Sequence, residues 1–341
     1  MKKIKIAQIG TGHDHAFSPI PTFKKLSDIF EFVGYCTVPE DEYNIPQFGN
    51  QAHKWAIGDA KQLTLDEILN YPDLDAVCIE TEDRALTKYA IMAAEKGLHI
   101  QMDKPGGIDD AEFDRLIDIV EEKKLVFHMA YMYRYNPAVI KLKEDIKAGK
   151  LGDIISAEGE MDCRHALPKR NWLKAYPGGM LYFLGCHMVD LVYSIMGDPE
   201  EIIPLSCSSG LEGTDAKDFG MAVFKYKNGV SVAKSTAVED GGYERRHLLV
   251  VGTKGTVELR PIETGAESTE IFNAQKTTVR ENFSEAFTSK AECYETEVFG
   301  RFDGMFRAFA DYINGVKSNP YTYEYERKLH KILLKACGEK V

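Results

Sequence analysis

The chain has 341 residues, with 42 Lys and Arg against 53 Asp and Glu, a formal net charge of −11. Hydrophobic residues make up 44% and charged residues 28%, which excludes a disordered or collagen-like chain and leaves room for about two domains of roughly 150 residues each. The acidic balance argues against a nucleic-acid or anionic-membrane partner, because phosphate backbones need clustered cations, but not against a small anionic ligand met locally.

The first half alternates strand and helix. Ile4, Ile6 and Ile9 form a strand that runs into Gly10-Thr11-Gly12. Lys5 and Gln8 interrupt its apolar residues, unlike the core of a signal peptide. Phe32 to Cys36 reads as a second strand, and Asp75 to Glu80 as a third, covered on both faces as in a parallel sheet. A helix over Leu86 to Lys96 stops at Gly97, and His99 to Met102 is a fourth strand ending at Asp103-Lys104-Pro105. Asp109 and Glu112 suit a capping box before the helical spacing of Phe113, Leu116, Ile117 and Val120. Leu125 to Ala130 closes the series. Repeated βα units predict a doubly wound parallel sheet, with ligands at the carboxyl ends of its strands.

From about residue 151 the pattern changes to long strands with short turns. Ile154 to Asp162 alternates; Phe219 to Lys227 and Val230 to Ala237 flank Asn228-Gly229, a two-residue hairpin signal; His247 to Val251 and Thr256 to Leu259 flank a Gly-containing turn. Helices are expected over Pro137 to Ala148 and Met180 to Met196. The fold class is therefore α/β: an N-terminal doubly wound domain over residues 1–125, and an α+β domain over 126–341 with a large, mostly antiparallel sheet. A C-terminal helix near 322–338 is expected to pack back on the first domain. Seven scattered cysteines without a CxxC pair read as reduced thiols. No run of about 18 apolar residues predicts a membrane span. A soluble, cytoplasmic protein is expected.

Three motifs carry chemistry. Gly10-x-Gly12 follows a strand: its first glycine permits the turn, and its second admits a pyrophosphate at a helix N-terminus. Thr11 and His13 belong to this loop, and Thr81 ends the third strand on the same edge. The third glycine is replaced by His15. His13-Asp14-His15 offers two imidazoles with no obvious third ligand, so no metal is expected. The acid that would hold the adenosine ribose falls by count at Thr37, with Glu40 and Asp41 only later, which leaves NAD and NADP both open. Asp103 and Lys104 share the strand edge with the glycine loop; a lysine there suits holding a hydroxyl and stabilising an alkoxide. On the Met180 to Met196 helix, Phe183, His187 and Asp190 share one face, and a neutral His187 is a suitable base for a hydroxyl proton.

The strand–GxG opening, Asp103-Lys104-Pro105, Arg134-Tyr135-Asn136-Pro137, Gly149-Lys-Leu-Gly152, the helix from Gly178-Gly179 to His187 and Asp190, and Gly252-Thr-Lys-Gly255 occur in one order. Together they resemble the Gfo/Idh/MocA family, the glucose–fructose oxidoreductase and inositol dehydrogenase group. The resemblance implies a Rossmann domain that binds NAD or NADP, and hydride transfer with a secondary alcohol of a sugar, polyol or derivative. The family's Glu-Lys-Pro maps onto Asp103-Lys104-Pro105, giving Lys104 and His187 as catalytic residues. Cofactor contacts are expected at Gly10, Thr11, Gly12, His13, Thr37, Thr81, Asp103 and Lys104. Substrate contacts are expected at Lys104, Arg134, Trp172, Phe183, His187 and Asp190. The family's Asp-x-x-x-His keeps only His187; its Asp is Phe183 here, with Asp190 a candidate replacement. Two alternatives stay open: a redox-assisted sugar lyase or glycosidase with retained cofactor, and a non-catalytic NAD(P)-binding regulator. The resemblance also implies a homo-oligomer, a dimer or tetramer, through an open apolar face of the C-terminal sheet.

Overall fold

The computed structural model describes residues 3–43, 56–263, 272–279 and 290–341. The chain forms two compact units, Met1–Tyr131 with Phe302–Lys331, and Met132–Arg301 with Ile332–Val341.

In the first unit, β1 (Ile4–Ile9), β2 (Phe30–Cys36), β3 (Ala76–Ile79), β4 (His99–Met102) and β5 (Phe127–Met129) make one parallel sheet in the order β2-β1-β3-β4-β5. All four residues of β3 are buried, as a strand covered on both faces must be. Strand order reverses between β1 and β3, which places the loop after β1 and the residue pair after β3 at the topological switch point. The division expected at residue 125 moves to 131, because β5 pairs with β4 and closes this sheet.

Helix α1 spans only Pro19–Lys25. It begins six residues after His13 rather than at the glycine loop itself. Pro19 and Pro21 restrict where that helix can begin, since proline is tolerated only in a first turn and disfavours helical geometry before it. Residues 13–18 instead form turns. Helix α2 (Leu86–Glu95) joins β3 to β4, and α3 (Asp110–Glu122) joins β4 to β5. The Asp109 carboxylate accepts the Glu112 N–H at 3.0 Å, and Phe113, Leu116, Ile117 and Val120 are buried beneath α3. Each such side chain contributes about 1.5–3 kcal/mol.

The second unit carries β6 (Ile154–Glu160), β7 (Glu201–Pro204), β8 (Phe219–Tyr226), β9 (Gly229–Thr236), β10 (His247–Gly252), β11 (Gly255–Leu259), β12 (Phe272–Val279) and β13 (Lys290–Val298). They form one sheet in the order β13-β12-β11-β10-β6-β9-β8-β7, antiparallel except for β6 with β9. The hairpin turn is Lys227-Asn228 rather than Asn228-Gly229, because Gly229 already pairs with Tyr226. Gly229 is required for another reason: a Cβ there would lie 1.8 Å from the Ile155 carbonyl oxygen. Helix α4 spans Pro137–Lys147 and α5 Leu167–Trp172. The long helix expected over Met180 to Met196 begins as a π-helical turn, Leu181–Gly185, and continues as α6 (Cys186–Met196). The wider turn inserts an extra residue, so Phe183 and His187 are not stacked at simple helical spacing.

Ala157, Ala222, Phe224, Ala233, Leu248 and Val250 are buried on one face of this sheet, and Gly159 leaves room for Met188 of α6. The face expected to be open and apolar is mixed. Lys234 binds Glu160 at 2.7 Å and Asp162 at 3.1 Å there, beside half-buried Met221, Val223, Val232 and Leu249.

Near the C-terminus come α7 (Asp303–Ile313) and α8 (Tyr323–Ala336). His330 of α8 stacks on Phe113 at 4.1 Å, and Lys331 binds Asp114 at 2.7 Å. Among the described residues no helix is long and apolar enough to cross a membrane.

Candidate active site

In the first unit the loops after β1, β3 and β4 meet at one sheet edge. Gly10 has φ +90°, and a Cβ there would lie 2.5 Å from Thr81 Cγ2 and 2.6 Å from the Thr81 backbone. A Cβ on Gly12 would lie 2.6 Å from Asp41 Oδ1 and 2.7 Å from Asp41 Cα. Both glycines are thus fixed by close approach, which is the requirement of a loop that cradles a dinucleotide. Gly10→Ala is expected to destabilise the protein by about 1–3 kcal/mol from backbone strain alone. Thermal melting and nucleotide titration of the variant check this.

The acid of this edge is Asp41, not a residue near Thr37. Thr37 is exposed, whereas Asp41 is 2% exposed and accepts the N–H groups of Thr11 at 2.8 Å and Val38 at 3.0 Å. Burial pushes its carboxyl up to about 6, against those hydrogen bonds. Raised above its ordinary value of 3.8, it keeps a proton in the folded chain that the unfolded chain has released. Stability therefore falls as pH rises from about 4 to about 6, and the loss persists above that window. Asp41→Asn is expected to flatten this decline and to be about 1–3 kcal/mol more stable at neutral pH. Chemical denaturation across that range reads it directly.

His13, expected at the cofactor, is fully buried beneath the loop. Its Nε2 lies 3.0 Å from the Lys104 carbonyl oxygen, and its Nδ1 lies 3.3 Å from Asp103, 3.4 Å from Asp14 and 3.9 Å from Glu80. Burial by itself would lower the imidazolium, but Asp103 and Asp83 outweigh it and push its pKa up to about 10. His15 Nδ1 is 3.2 Å from Asp103. Burial and the adjacent Asp103 carboxylate push the Glu80 carboxyl well above its ordinary value. Lys104 is 1% exposed, and the Asp103 carboxylate accepts its backbone N–H at 2.7 Å. Thr81 is fully buried. The residues present fit a dinucleotide at the glycine cradle and depart from that pattern at His13 and His15.

The second unit holds the remaining candidates. Arg134 and Asp190 are 2% and 1% exposed and bind each other: Nε lies 3.1 and 3.0 Å from the two carboxylate oxygens, and one amino nitrogen 2.8 Å from Oδ1. Both oxygens of Asp190, the candidate replacement for the missing carboxylate, therefore face Arg134 in the fold. His187, 1% exposed, meets Tyr133 edge-on at 5.0 Å. Phe183 meets Trp172 edge-on at 5.1 Å, and the Lys169 ammonium sits 3.6 Å from the Trp172 ring centre and 4.2 Å from that of Phe183. Where the family pattern has an acid, this chain therefore has an aromatic face carrying a cation.

Sequence reasoning placed Asp41 past the counted position of the acid and missed Glu80. Glu80 left a signal: an acid closing a strand buried on both faces must find a proton or a cation. The seating of Lys169 on Phe183 left none, because α5 and the π-helical turn meet only in the fold.

Comparison with known proteins agrees with this architecture. Residues 21–131 match the oxidoreductase family with an NAD-binding Rossmann fold, and residues 139–258 match the GFO/IDH/MocA C-terminal domain. Gly10 to His15 lie ahead of the first matched span. A levoglucosan dehydrogenase from Pseudarthrobacter phenanthrenivorans is 31% identical over 38% of this chain and 35% of its own. A D-xylose 1-dehydrogenase (NADP(+)) from Haloferax volcanii is 25% identical over 75% of this chain and 78% of its own. The chain spans little more than half the length of two uncharacterised oxidoreductases it matches, from Schizosaccharomyces pombe and Rhizobium meliloti (27% and 26% identity; 54% and 58% of their lengths). Among solved structures, a UDP-N-acetylglucosamine 3-dehydrogenase from Acidithiobacillus ferrooxidans has the same fold, with TM-score 0.74 and 17% identity over 98% of this chain and 96% of that one. With residues 21–131 and 139–258 matched in order along the chain, this protein belongs to the GFO/IDH/MocA oxidoreductase family.

Proposed function

We propose that this protein is an NAD(P)-dependent oxidoreductase that moves hydride between nicotinamide and the carbon of a secondary alcohol on a sugar, polyol or derivative. The observation that carries the reading is the first unit's strand edge, where two glycines without room for a Cβ stand beside a buried lysine at the end of β4. The named sugar dehydrogenases among the relatives support the substrate class.

When bound, the nicotinamide supplies the hydride acceptor. Gly10, Thr11 and Gly12 would hold the dinucleotide through their backbone, with Thr81 and Asp41 beneath them. Lys104 would donate a hydrogen bond to the substrate hydroxyl and stabilise the alkoxide as its proton leaves. His187 would take that proton through a ring nitrogen, so that one hydride and one proton leave together and a carbonyl remains. Phe183 and Trp172, with Lys169 across their faces, suit a substrate presenting a C–H face and an anionic or hydroxylated edge. In this reading Arg134 and Asp190 hold the start of α6 in place rather than touch substrate. The protein is further proposed to assemble as a dimer or tetramer through the mixed face of its large sheet.

The test is turnover of a panel of sugars, polyols and sugar acids with NAD and with NADP, followed by the absorbance of reduced nicotinamide. Reduction with one member of the panel supports the reading. Tight nucleotide binding with no reduction across the panel would overturn it in favour of a regulator.

A further inference from the structure

The cluster beneath the glycine loop has a geometry that hydride transfer does not require. His13, Glu80 and Asp103 are 0%, 2% and 0% exposed, and their nearest donor atoms all lie within 4.8 Å of one another. His13, Asp14 and His15 form a second triad with the same property. The Glu80 Oε2 atom is buried without a hydrogen-bond donor. His13, Asp14 and His15 lie in the loop after β1, Glu80 follows β3 and Asp103 follows β4, so only the folded sheet brings the three segments together.

We propose that His13, Glu80 and Asp103, completed by Asp14 and His15, form a binding site for a divalent first-row transition metal. Four features support it. First, the His13 Nε2 faces the Lys104 carbonyl oxygen at 3.0 Å, the outer hydrogen bond that orients a metal-bound imidazole. Second, the other ring nitrogen of His13, Nδ1, faces the carboxylates of Asp103, Asp14 and Glu80 at 3.3, 3.4 and 3.9 Å, an arrangement in which a metal ion takes the place of the imidazolium proton.

Third, the spacing fits. Two ligands on a tetrahedral zinc with bonds of about 2.0–2.1 Å stand about 3.3 Å apart. Nδ1 of His13 is 3.3 Å from Asp103 and 3.4 Å from Asp14, and Nδ1 of His15 is 3.2 Å from Asp103. Glu80, at 3.9 Å from His13, needs a small side-chain movement. Fourth, the donor set is imidazole and carboxylate, which suits Zn²⁺, Mn²⁺ or Fe²⁺ and not a thiolate-seeking ion. A contrasting cluster, Glu160, Asp162 and Glu239, already holds the Lys234 ammonium, 2.7 Å from Glu160.

A metal here would tie the loop after β1 to the ends of β3 and β4. It would also offset the carboxylates of Asp14, Glu80, Asp83 and Asp103 at the edge where an anionic ligand is expected. The site does not rest on the proposed reaction, and it is tested without nucleotide or substrate. The full chain, purified without a histidine tag and stripped with chelator, is titrated with Zn²⁺ by calorimetry and with Co²⁺ by visible absorption. One ion per chain is expected, with Co²⁺ giving ligand-field bands of a low-symmetry N/O site. Glu80→Gln and His15→Ala are expected to weaken Zn²⁺ binding by about 10–100-fold. His15 is only half-buried, so its variant remains informative if Glu80→Gln melts early. Substoichiometric binding of both ions by the folded wild type would overturn the site, as would wild-type affinity in both variants.

Discussion

Replacing Lys104 with Met is expected to lower turnover by about 10²–10³-fold while nucleotide affinity changes little, because in the proposed mechanism the lost group acts on charge that develops at the substrate oxygen. Methionine keeps the length and apolar stem of the lysine, so it tests the ammonium rather than the packing. Lys104 is 1% exposed at the end of a strand buried on both faces, and a buried cation cannot be replaced there by water. Arginine is not expected to rescue the activity, since its planar fork is larger than the compact ammonium. His187→Gln is expected to cost about 10²–10⁴-fold, the range for a positioned proton acceptor. Steady-state kinetics on the substrate found in the panel, with melting curves for each variant, measure both. Full turnover in the two variants would remove Lys104 and His187 from the mechanism.

Arg134→Met is expected to cost about 3–5 kcal/mol of stability, because it leaves the Asp190 carboxylate buried without its partner. The pair is enclosed: side-chain exposure is 0% for Arg134 and 1% for Asp190, with three nitrogen–oxygen distances of 2.8–3.1 Å. Combining Arg134→Met with Asp190→Leu is expected to recover most of the loss, since no charge then remains to be desolvated. Denaturant unfolding of the single and double variants gives both numbers. A single variant with wild-type stability would show that Asp190 finds another partner, and a double variant no better than the single would locate the cost in packing instead.

Sequence periodicity located most elements to within one or two residues. β3 was legible because a strand covered on both faces has to be apolar throughout, and α3 because one face of it carries Phe113, Leu116, Ile117 and Val120. Two elements misled. Asn228-Gly229 carries a turn signature, yet Gly229 serves the close passage of the Ile155 carbonyl, a constraint from a strand over seventy positions away. The π-helical turn at Leu181–Gly185 leaves no mark in apolar spacing, because every side of that segment is buried.

The candidate site divides in the same way. Gly10, Gly12, Lys104 and His187 could be chosen from sequence because each lies in a motif whose residues are neighbours along the chain. Their family follows from the order of those motifs. Asp41, Glu80 and the Arg134–Asp190 pair could not be assigned, because their roles depend on partners such as Thr11, His13 and one another, 30 to 67 positions distant, or on the direction of a single carboxylate. Sequence by itself determined the parallel sheet and five of the eight strands of the second sheet, since periodicity and local turn chemistry act over a few residues. Tertiary structure alone decided which charges face one another: Asp41 turned onto the loop amides, Asp190 onto Arg134, and His13 into a ring of carboxylates. Burial sets the strength of each of those contacts, and burial is a property of the assembled sheet rather than of any segment within it.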